Sequence, residues 1–550
     1  MKYKIKISLT GLIVFALFFA FTPPSDRYFE IQRNLDIFAT MFKEVNMYYV
    51  DDVNPSKLMR TGIDAMLKSL DPYTDYYPED EIEDYRTMTT GQYGGIGATV
   101  VTKNGKSIVT MPYKDSPAFK AGLRIGDEVI KINGTDIKNK NGGEVSKLMK
   151  GQANTAVKLT VKRYGKAEPF DINLTRDNIK INNVPYYGML NTDVGYIHLS
   201  DFTPGASREV KNALTELKEK GCKKLIFDLR DNPGGLLNEA VSICNLFIPQ
   251  NAEVVSTKGK IAEWNKTYRA LNAAVDTEIP IVVLTSNRSA SASEIVAGVI
   301  QDYDRGVLVG QKTFGKGLVQ TTRPLSYNSQ LKVTTAKYYI PSGRRIQAID
   351  YSHRNEDGSV GKIPDSLKAP FKTKAGRTVF DGGGLESDLP VEKFVFSPIA
   401  ISLSSKNLIF DYATKYAAEH ENIKSSKEFK MTEAEYQEFV KWLAGKDYDY
   451  TTQMEKELDQ LTASAKKEKY YDELQQQING LRNKLSHNKE VDLQKFKAEI
   501  KELLESEIAS RYYLEAGETE AGFDNDLELQ AALKLFQDMG KYKNLLTAKK

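Results

Sequence analysis

The hexapeptide Ser289-Ala290-Ser291-Ala292-Ser293-Glu294 sets three hydroxyls among small side chains and ends on a carboxylate. It follows an apolar run at residues 281–284 that reads as a strand and leads into residues 295–301, which read as a helix. Small residues permit a tight strand-to-helix turn, and a hydroxyl exposed there lies beside the free N–H groups of the helix. Those donors, with the positive end of the helix dipole, can stabilise an oxyanion forming next to them. The hexapeptide also has a simpler use. Ser291 and Glu294 have the S-x-x-E spacing of a capping box, and on these six residues alone the cap is the favoured reading. A second stretch, Gly310-Gln311-Lys312-Thr313-Phe314-Gly315-Lys316-Gly317-Leu318-Val319-Gln320, opens with the form G-x-x-x-x-G-K. Phosphate binding is disfavoured: Gly317 stands where a P-loop needs a Ser/Thr hydroxyl, and the residues after it read as strand rather than helix.

The elements around these stretches imply an α/β protein. Between residues 188 and 339 strands alternate with helices: a strand at 194–199, a helix at about 207–220, a strand at 225–229, a helix through Val241 and Phe247, then the strand at 281–284. That βαβ rhythm predicts a largely parallel sheet with crossover helices, an α/β core with a mixed sheet built of βαβ units. Upstream, residues 91–165 read as a compact β-rich unit. Gly94-Gly95-Ile96-Gly97 opens it, Pro117 and Gly122 bracket a short helix, and the strand at 128–132 ends in the Asn133-Gly134 turn pair. In this order the features resemble a PDZ domain. Such a domain holds a peptide's terminal carboxylate on backbone N–H groups of the Gly-rich loop, here Gly94, Gly95, Ile96 and Gly97, and adds the peptide to the sheet edge. Residues 25–90 read as amphipathic helices, with Leu35, Phe38, Phe42 and Val45 at three- and four-residue spacing. After Pro398 there is no further proline, and residues 398–550 read as an α-helical C-terminal extension.

Taken together the motifs resemble the S41 family of C-terminal-processing, or tail-specific, peptidases. In that family the middle serine of S-A-S-A-S-E is the nucleophile, matching Ser291; a lysine 25 positions later is the base, matching Lys316; and a glutamine four residues beyond it, matching Gln320, orients the lysine. The run Asp228-Leu229-Arg230-Asp231-Asn232-Pro233-Gly234-Gly235 matches the family's Gly-Gly loop, so the resemblance implies an oxyanion hole made by the N–H groups of Gly235 and Ala292. The likeness covers roughly residues 28–390, up to the glycine cluster Asp381-Gly382-Gly383-Gly384, and assigns 166–397 to the peptidase core. It implies a serine endopeptidase that recognises proteins or peptides by their free C-termini, with no cofactor. Two other classes stay open: a peptide-binding scaffold on an inactive protease fold, and an adaptor working through the helical tail.

Side-chain chemistry is consistent with this. A serine hydroxyl needs an adjacent base. A lysine serves only when neutral, and lowering its pKa from about 10.4 to near 8 disfavours the ammonium by roughly 3 kcal/mol, which burial can supply. A glutamine would fix the amine without stabilising its charge as a carboxylate would. One geometric demand follows: four residues of strand span about 13 Å, so the chain must fold at Gly315 and Gly317 if Gln320 is to touch Lys316. Lys312 is a second candidate base. His198, within Gly195-Tyr196-Ile197-His198-Leu199, reads as a residue of the sheet rather than as a catalytic imidazole.

Composition narrows the rest. At 550 residues several domains are expected; 76 Lys+Arg against 73 Asp+Glu leave no concentrated basic footprint for nucleic acid. Four histidines in no ligand pattern argue against a metal site. Cys222 and Cys244 read as two small buried residues rather than a disulfide. Lys2, Lys4 and Lys6 precede a 15-residue apolar run ending at Phe21. At about 1.5 Å per residue that run reaches roughly 22 Å, short of the ~30 Å hydrocarbon core, as in a signal peptide. No A-x-A site follows it, so cleaved signal and retained membrane anchor, both within residues 1–24, stand even. Either puts the bulk of the chain outside the cytoplasm, in the periplasm or cell envelope. Assembly with further copies of the chain is also left open.

Overall fold

The structure is a computed structural model that describes residues 26–355, 358–485 and 489–548; the apolar N-terminal run lies outside them. The chain divides into two units, residues 1–76 and 77–550. In the first, the helix Asp26–Tyr48 is followed by Pro55–Lys68, which starts on Pro55 with the Asn54 side chain accepting from Lys57 N at 2.9 Å. Leu35 and Phe38 of the apolar stripe remain exposed. No helix among the described residues is long and apolar enough to cross a membrane.

The second unit contains the PDZ-like sheet, in the order Ala98–Lys103, Lys106–Pro112, Glu128–Ile132, Ala156–Lys162 and Phe170–Thr175, all antiparallel. Asn133 and Gly134 have φ of 50° and 81°, the left-handed pair that a tight hairpin requires. The expected end at residue 165 falls short. Phe170–Thr175 pairs in full register with Ala156–Val161, so the unit runs on past residue 165 through one more hairpin. The chain enters and leaves through a two-stranded ribbon, Gln92–Gly95 against Asp177–Lys180.

The α/β core is a six-stranded sheet of β1 (Tyr186–Met189), β2 (Val194–His198), β3 (Lys224–Asp228), β4 (Ile281–Thr285), β5 (Gly306–Gly310) and β6 (Leu389–Pro390), in that spatial order. β1 is antiparallel to β2 and every other neighbouring pair is parallel. β4 and β5 are buried along their whole length, which is why residues 281–284 read as an unbroken apolar run. On one face lie α1 (Ala206–Glu219), α2 (Leu237–Cys244) and α3 (Ala292–Asp302), packed on Ile197, Leu225, Phe227, Ile281 and Val283. Cys222 and Cys244 are both free thiols in this layer, and burial pushes each of them up.

The opposite face is covered by part of the α-helical C-terminal extension. Ile226, Val282, Leu284, Val307 and Val309 are covered by α4 (Leu527–Gln537) and α5 (Met539–Leu545), through Leu529, Ala532, Leu535, Phe536 and Tyr542. The Tyr542 hydroxyl donates to Ile281 O and accepts from Ile281 N, both at 3.0 Å. The end of the chain is therefore a layer of the peptidase core and not an appendage to it. Between them, residues 399–508 form a separate helical core around Tyr412, Tyr436 and Phe439.

Candidate active site

Ser291 is the last residue before α3 and has φ 56° and ψ −113°. An ordinary N-cap is extended; a non-glycine residue held at such angles costs about 1–3 kcal/mol and persists only where its surroundings over-determine it. Those surroundings are visible. A Cβ on Gly234 would fall 2.8 Å from both Ser291 Cβ and Ala292 N, so only glycine fits against the turn. Asn232 ties the two loops together: its side-chain amide donates to Leu199 O at 2.7 Å, and its carbonyl accepts from Ala290 N at 3.0 Å and Ser293 Oγ at 2.9 Å. Gly234 N donates to Asn232 Oδ1 at 2.9 Å, whereas the N–H groups of Gly235 and Ala292 have no protein acceptor among the described residues. Two donors are thus left beside the Ser291 turn.

Glu294 does more than cap the helix. Its buried carboxylate accepts from Ser291 N at 2.8 Å, Thr313 Oγ1 at 2.5 Å, Gly315 N at 2.8 Å and Lys316 N at 2.9 Å. Burial nevertheless pushes its carboxyl up to about 7 against those four donors. A second tie comes from Tyr338, whose hydroxyl donates to Lys316 O at 2.7 Å and lies 3.2 Å from Ser291 O. One carboxylate and one phenol therefore bind the main chain of Ser291 to that of Lys316. The glycine cluster backs this arrangement: Gly384 N donates to Ile346 O at 2.8 Å, and a Cβ on Gly384 would lie 2.5 Å from Thr313 O. The S-x-x-E spacing signalled the Ser291 half of the Glu294 network; nothing local to Tyr338 signalled its part.

The remaining candidates fall as follows. Gln320 lies on the strand Leu318–Pro324, beside a register shift between Val319 and Gln320, and its amide donates to Thr334 Oγ1 at 3.1 Å. Lys312 pairs with Glu386 at 2.5 Å. His198 ends β2 in register with Asp228, at the wall of a cleft of about 1010 Å³ that also takes in Met111, Asp231, Ser286, Arg288 and Glu515. In the PDZ-like unit Gly94 and Gly95 belong to the ribbon, paired with Asn178 and Asp177, and Gly94 O accepts from Gly151 N at 3.0 Å. Ile96 O and Gly97 O accept from Ala118 N and Tyr113 N, while the N–H groups of Ile96 and Gly97 meet no protein acceptor among the described residues. No group of acidic, histidine or cysteine side chains fit to hold a metal occurs among the described residues.

Comparison with known proteins bears directly on this arrangement. The description "Peptidase family S41" matches residues 193–352, "PDZ domain" matches 94–174 and "Probable PDZ-protease, C-terminal helical domain" matches 399–536. The Carboxy-terminal-processing protease of Bartonella bacilliformis is 39% identical over 321 residues, which are 58% of this chain and 73% of that protein. This chain belongs to peptidase family S41. It is a serine-type, C-terminal-processing peptidase with a PDZ domain and a C-terminal helical domain. A Probable CtpA-like serine protease of Staphylococcus aureus is 40% identical over 318 residues, 57% of the S41 chain described here and 63% of its own length. Among solved structures, the photosystem II D1 C-terminal processing protease aligns at 26% identity over 64% of this peptidase and 92% of that chain, with a TM-score of 0.34.

Proposed function

We propose that the peptidase cleaves through a Ser291–Lys316 pair and selects substrates by their free C-termini. Lys316, as a neutral amine, takes the proton of Ser291 Oγ as the oxygen attacks the scissile carbonyl. The resulting oxyanion is received by the N–H groups of Gly235 and Ala292. The tetrahedral adduct collapses to an acyl-enzyme as the leaving amine takes the proton from Lys316. Water then enters and gives a proton to the Lys316 amine as its oxygen attacks the acyl carbon; the bond to Ser291 Oγ breaks, Lys316 returns the proton to that oxygen, and the acid is released. Gln320 is the neutral group that orients the Lys316 amine, its side-chain amide itself donating to Thr334 Oγ1 at 3.1 Å. The observation that supports this reading is the Glu294 carboxylate, which accepts from Ser291 N and Lys316 N at 2.8 and 2.9 Å and so anchors the main chains of both residues on one group. The N-terminal run would export the enzyme to the cell envelope.

Recognition of a carboxylate is supported by the unengaged Ile96 and Gly97 N–H groups and by Ala98–Lys103, an edge strand of its sheet onto which a peptide can add. The test compares an unstructured peptide ending in a free carboxylate with its C-terminal amide. The amide, which forfeits charge-assisted hydrogen bonds, is expected to be cut roughly tenfold more slowly, mostly through KM. Ser291→Ala is expected to cut neither. Equal rates for acid and amide would remove the PDZ loop from recognition, and a proteolytically active Ser291→Ala would remove the nucleophile.

A further inference from the structure

The loop that bears Gly235 is held from its far end by an arginine, and half of that grip comes from the C-terminal helices. Arg230 stands two residues beyond β3 and is 19% exposed. On one side its Nε lies 3.0 Å from each oxygen of the buried Asp228, and Nη2 reaches Asp228 Oδ2 at 2.6 Å. Asp228 is itself held by the Tyr196 hydroxyl at 2.6 Å and by Arg230 N at 2.8 Å. On the other side Nη1 and Nη2 make a two-pronged bond to Asp526 at 2.8 and 2.6 Å, and Nη1 lies 3.3 Å from Glu528. Asp526 caps α4 through Leu529 N at 2.9 Å, and Glu528 is bonded by the side-chain amide of Gln311. A planar guanidinium suits this fork between two carboxylates, which a lysine ammonium cannot reproduce.

From Arg230 to Gly235 the backbone has few free choices. Asp231 N donates to Ser286 Oγ at 3.0 Å, Asn232 is committed to both neighbouring loops, and Leu236 N donates to Phe202 O at 2.8 Å. Within this span Asp231, Gly234 and Gly235 all have positive φ, of 58°, 98° and 152°. The two glycines take such angles freely, whereas Asp231 is held there by contacts around it. The Arg230 fork is the contact that couples it to α4, some 300 residues away in the chain.

We infer that Arg230 is a positioning residue for the reaction, seated by Asp526 and Glu528, so that the C-terminal helices set the placement of the Gly235 N–H. The inference rests on the oxyanion reading proposed above. It makes the C-terminal helical domain a determinant of catalytic rate and not only of stability. Anything that shifts α4, such as a partner bound to the helical domain, would then tune turnover without touching Ser291.

The test uses the full chain with Asp526→Asn plus Glu528→Gln, and separately Glu528→Gln, which leaves the Asp526 fork in place and so keeps a folded comparison. Rates on a fluorogenic peptide with a free C-terminus are corrected for the folded fraction, measured by near-ultraviolet circular dichroism. Because an oxyanion donor acts only in the transition state, kcat is expected to fall roughly 10- to 100-fold in the double variant and about threefold in the single one, with KM within about twofold of wild type. Unchanged kcat in the folded fraction of either variant, or a loss confined to KM, would overturn the inference. Ser291→Ala, run in parallel, separates the two levels: if it is inactive while the acid variants keep full kcat, the positioning role fails and the nucleophile stands; if it is active, the underlying reading fails first.

Discussion

A chain ending after Gly522 is expected not to yield a folded peptidase. Such a truncation removes α4 and α5, and with them Leu529, Leu535, Phe536 and Tyr542, each nearly or fully buried on the second face of the core sheet. At about 1.5–3 kcal/mol for each large apolar side chain, the loss is roughly 6–12 kcal/mol. That is comparable with the whole stability of an ordinary domain, about 5–15 kcal/mol. The cut also bares Val282, Val307 and Val309 on strands that otherwise see no water, and leaves Arg230 without Asp526. Soluble yield, far-ultraviolet circular dichroism and limited proteolysis read the outcome. A soluble truncated chain that melts with wild type would show that the two helices are dispensable.

Glu294→Ala is expected to lower kcat by about a thousandfold or more, because three backbone N–H groups and the Thr313 hydroxyl lose their common acceptor in a closed site. Each unsatisfied buried donor costs about 1–3 kcal/mol, so stability falls as well. Glu294→Gln is expected to rescue little of the rate, since its amide nitrogen presents hydrogens to groups that themselves donate. The carboxyl also has a pH signature. Burial raises it from 4.5 to about 7, so in the folded state it holds a proton that the unfolded chain has released. Its stabilising contribution is complete below about pH 4.5 and is lost as pH rises through about 7, a span worth roughly 3 kcal/mol. The hydrogen bonds to Ser291 N and Lys316 N need the ionised form, so activity should rise over the same interval in which this contribution to stability falls. Urea unfolding and kcat, each followed from pH 5 to 8, are expected to trend oppositely in wild type. In Glu294→Gln, which has no carboxyl there to titrate, the corresponding part of the stability trend should vanish. Parallel trends in the two proteins would assign the titration to another group.

What could be read in the sequence follows from where the physics is local. β4 announced itself because a strand buried on both faces leaves no polar alternation, and Asn133-Gly134 marked its turn because few residues accept positive φ. The strand Phe170–Thr175 fell outside the unit read as ending at residue 165, and only pairing with Ala156–Val161 places it inside. Helices α4 and α5 were legible as helices, yet an amphipathic face does not say which surface it covers. The contact between Leu535 and a strand some 230–250 residues earlier is a property of the fold, not of the segment. Glu294 illustrates the same limit within the site. Its spacing from Ser291 is a helix-cap signal, and the bonds from Gly315 and Lys316 that change its meaning come from a loop about 20 residues away. Tyr338 had no signal at all, because a phenol reaching two carbonyls leaves no pattern in its own strand.

The most direct test of the account is covalent. Wild type and Lys316→Arg are mixed with a peptide ester, quenched at short times, and the acyl group is located by intact-mass and peptide mass spectrometry. Arginine keeps the charge and approximate reach of lysine but stays protonated, so it cannot accept the Ser291 proton. The account predicts an acyl group on Ser291 in wild type that builds up and turns over, and none above background in a folded Lys316→Arg. Acylation of Lys316→Arg at the wild-type rate, or an acyl group on a residue other than Ser291, would contradict it.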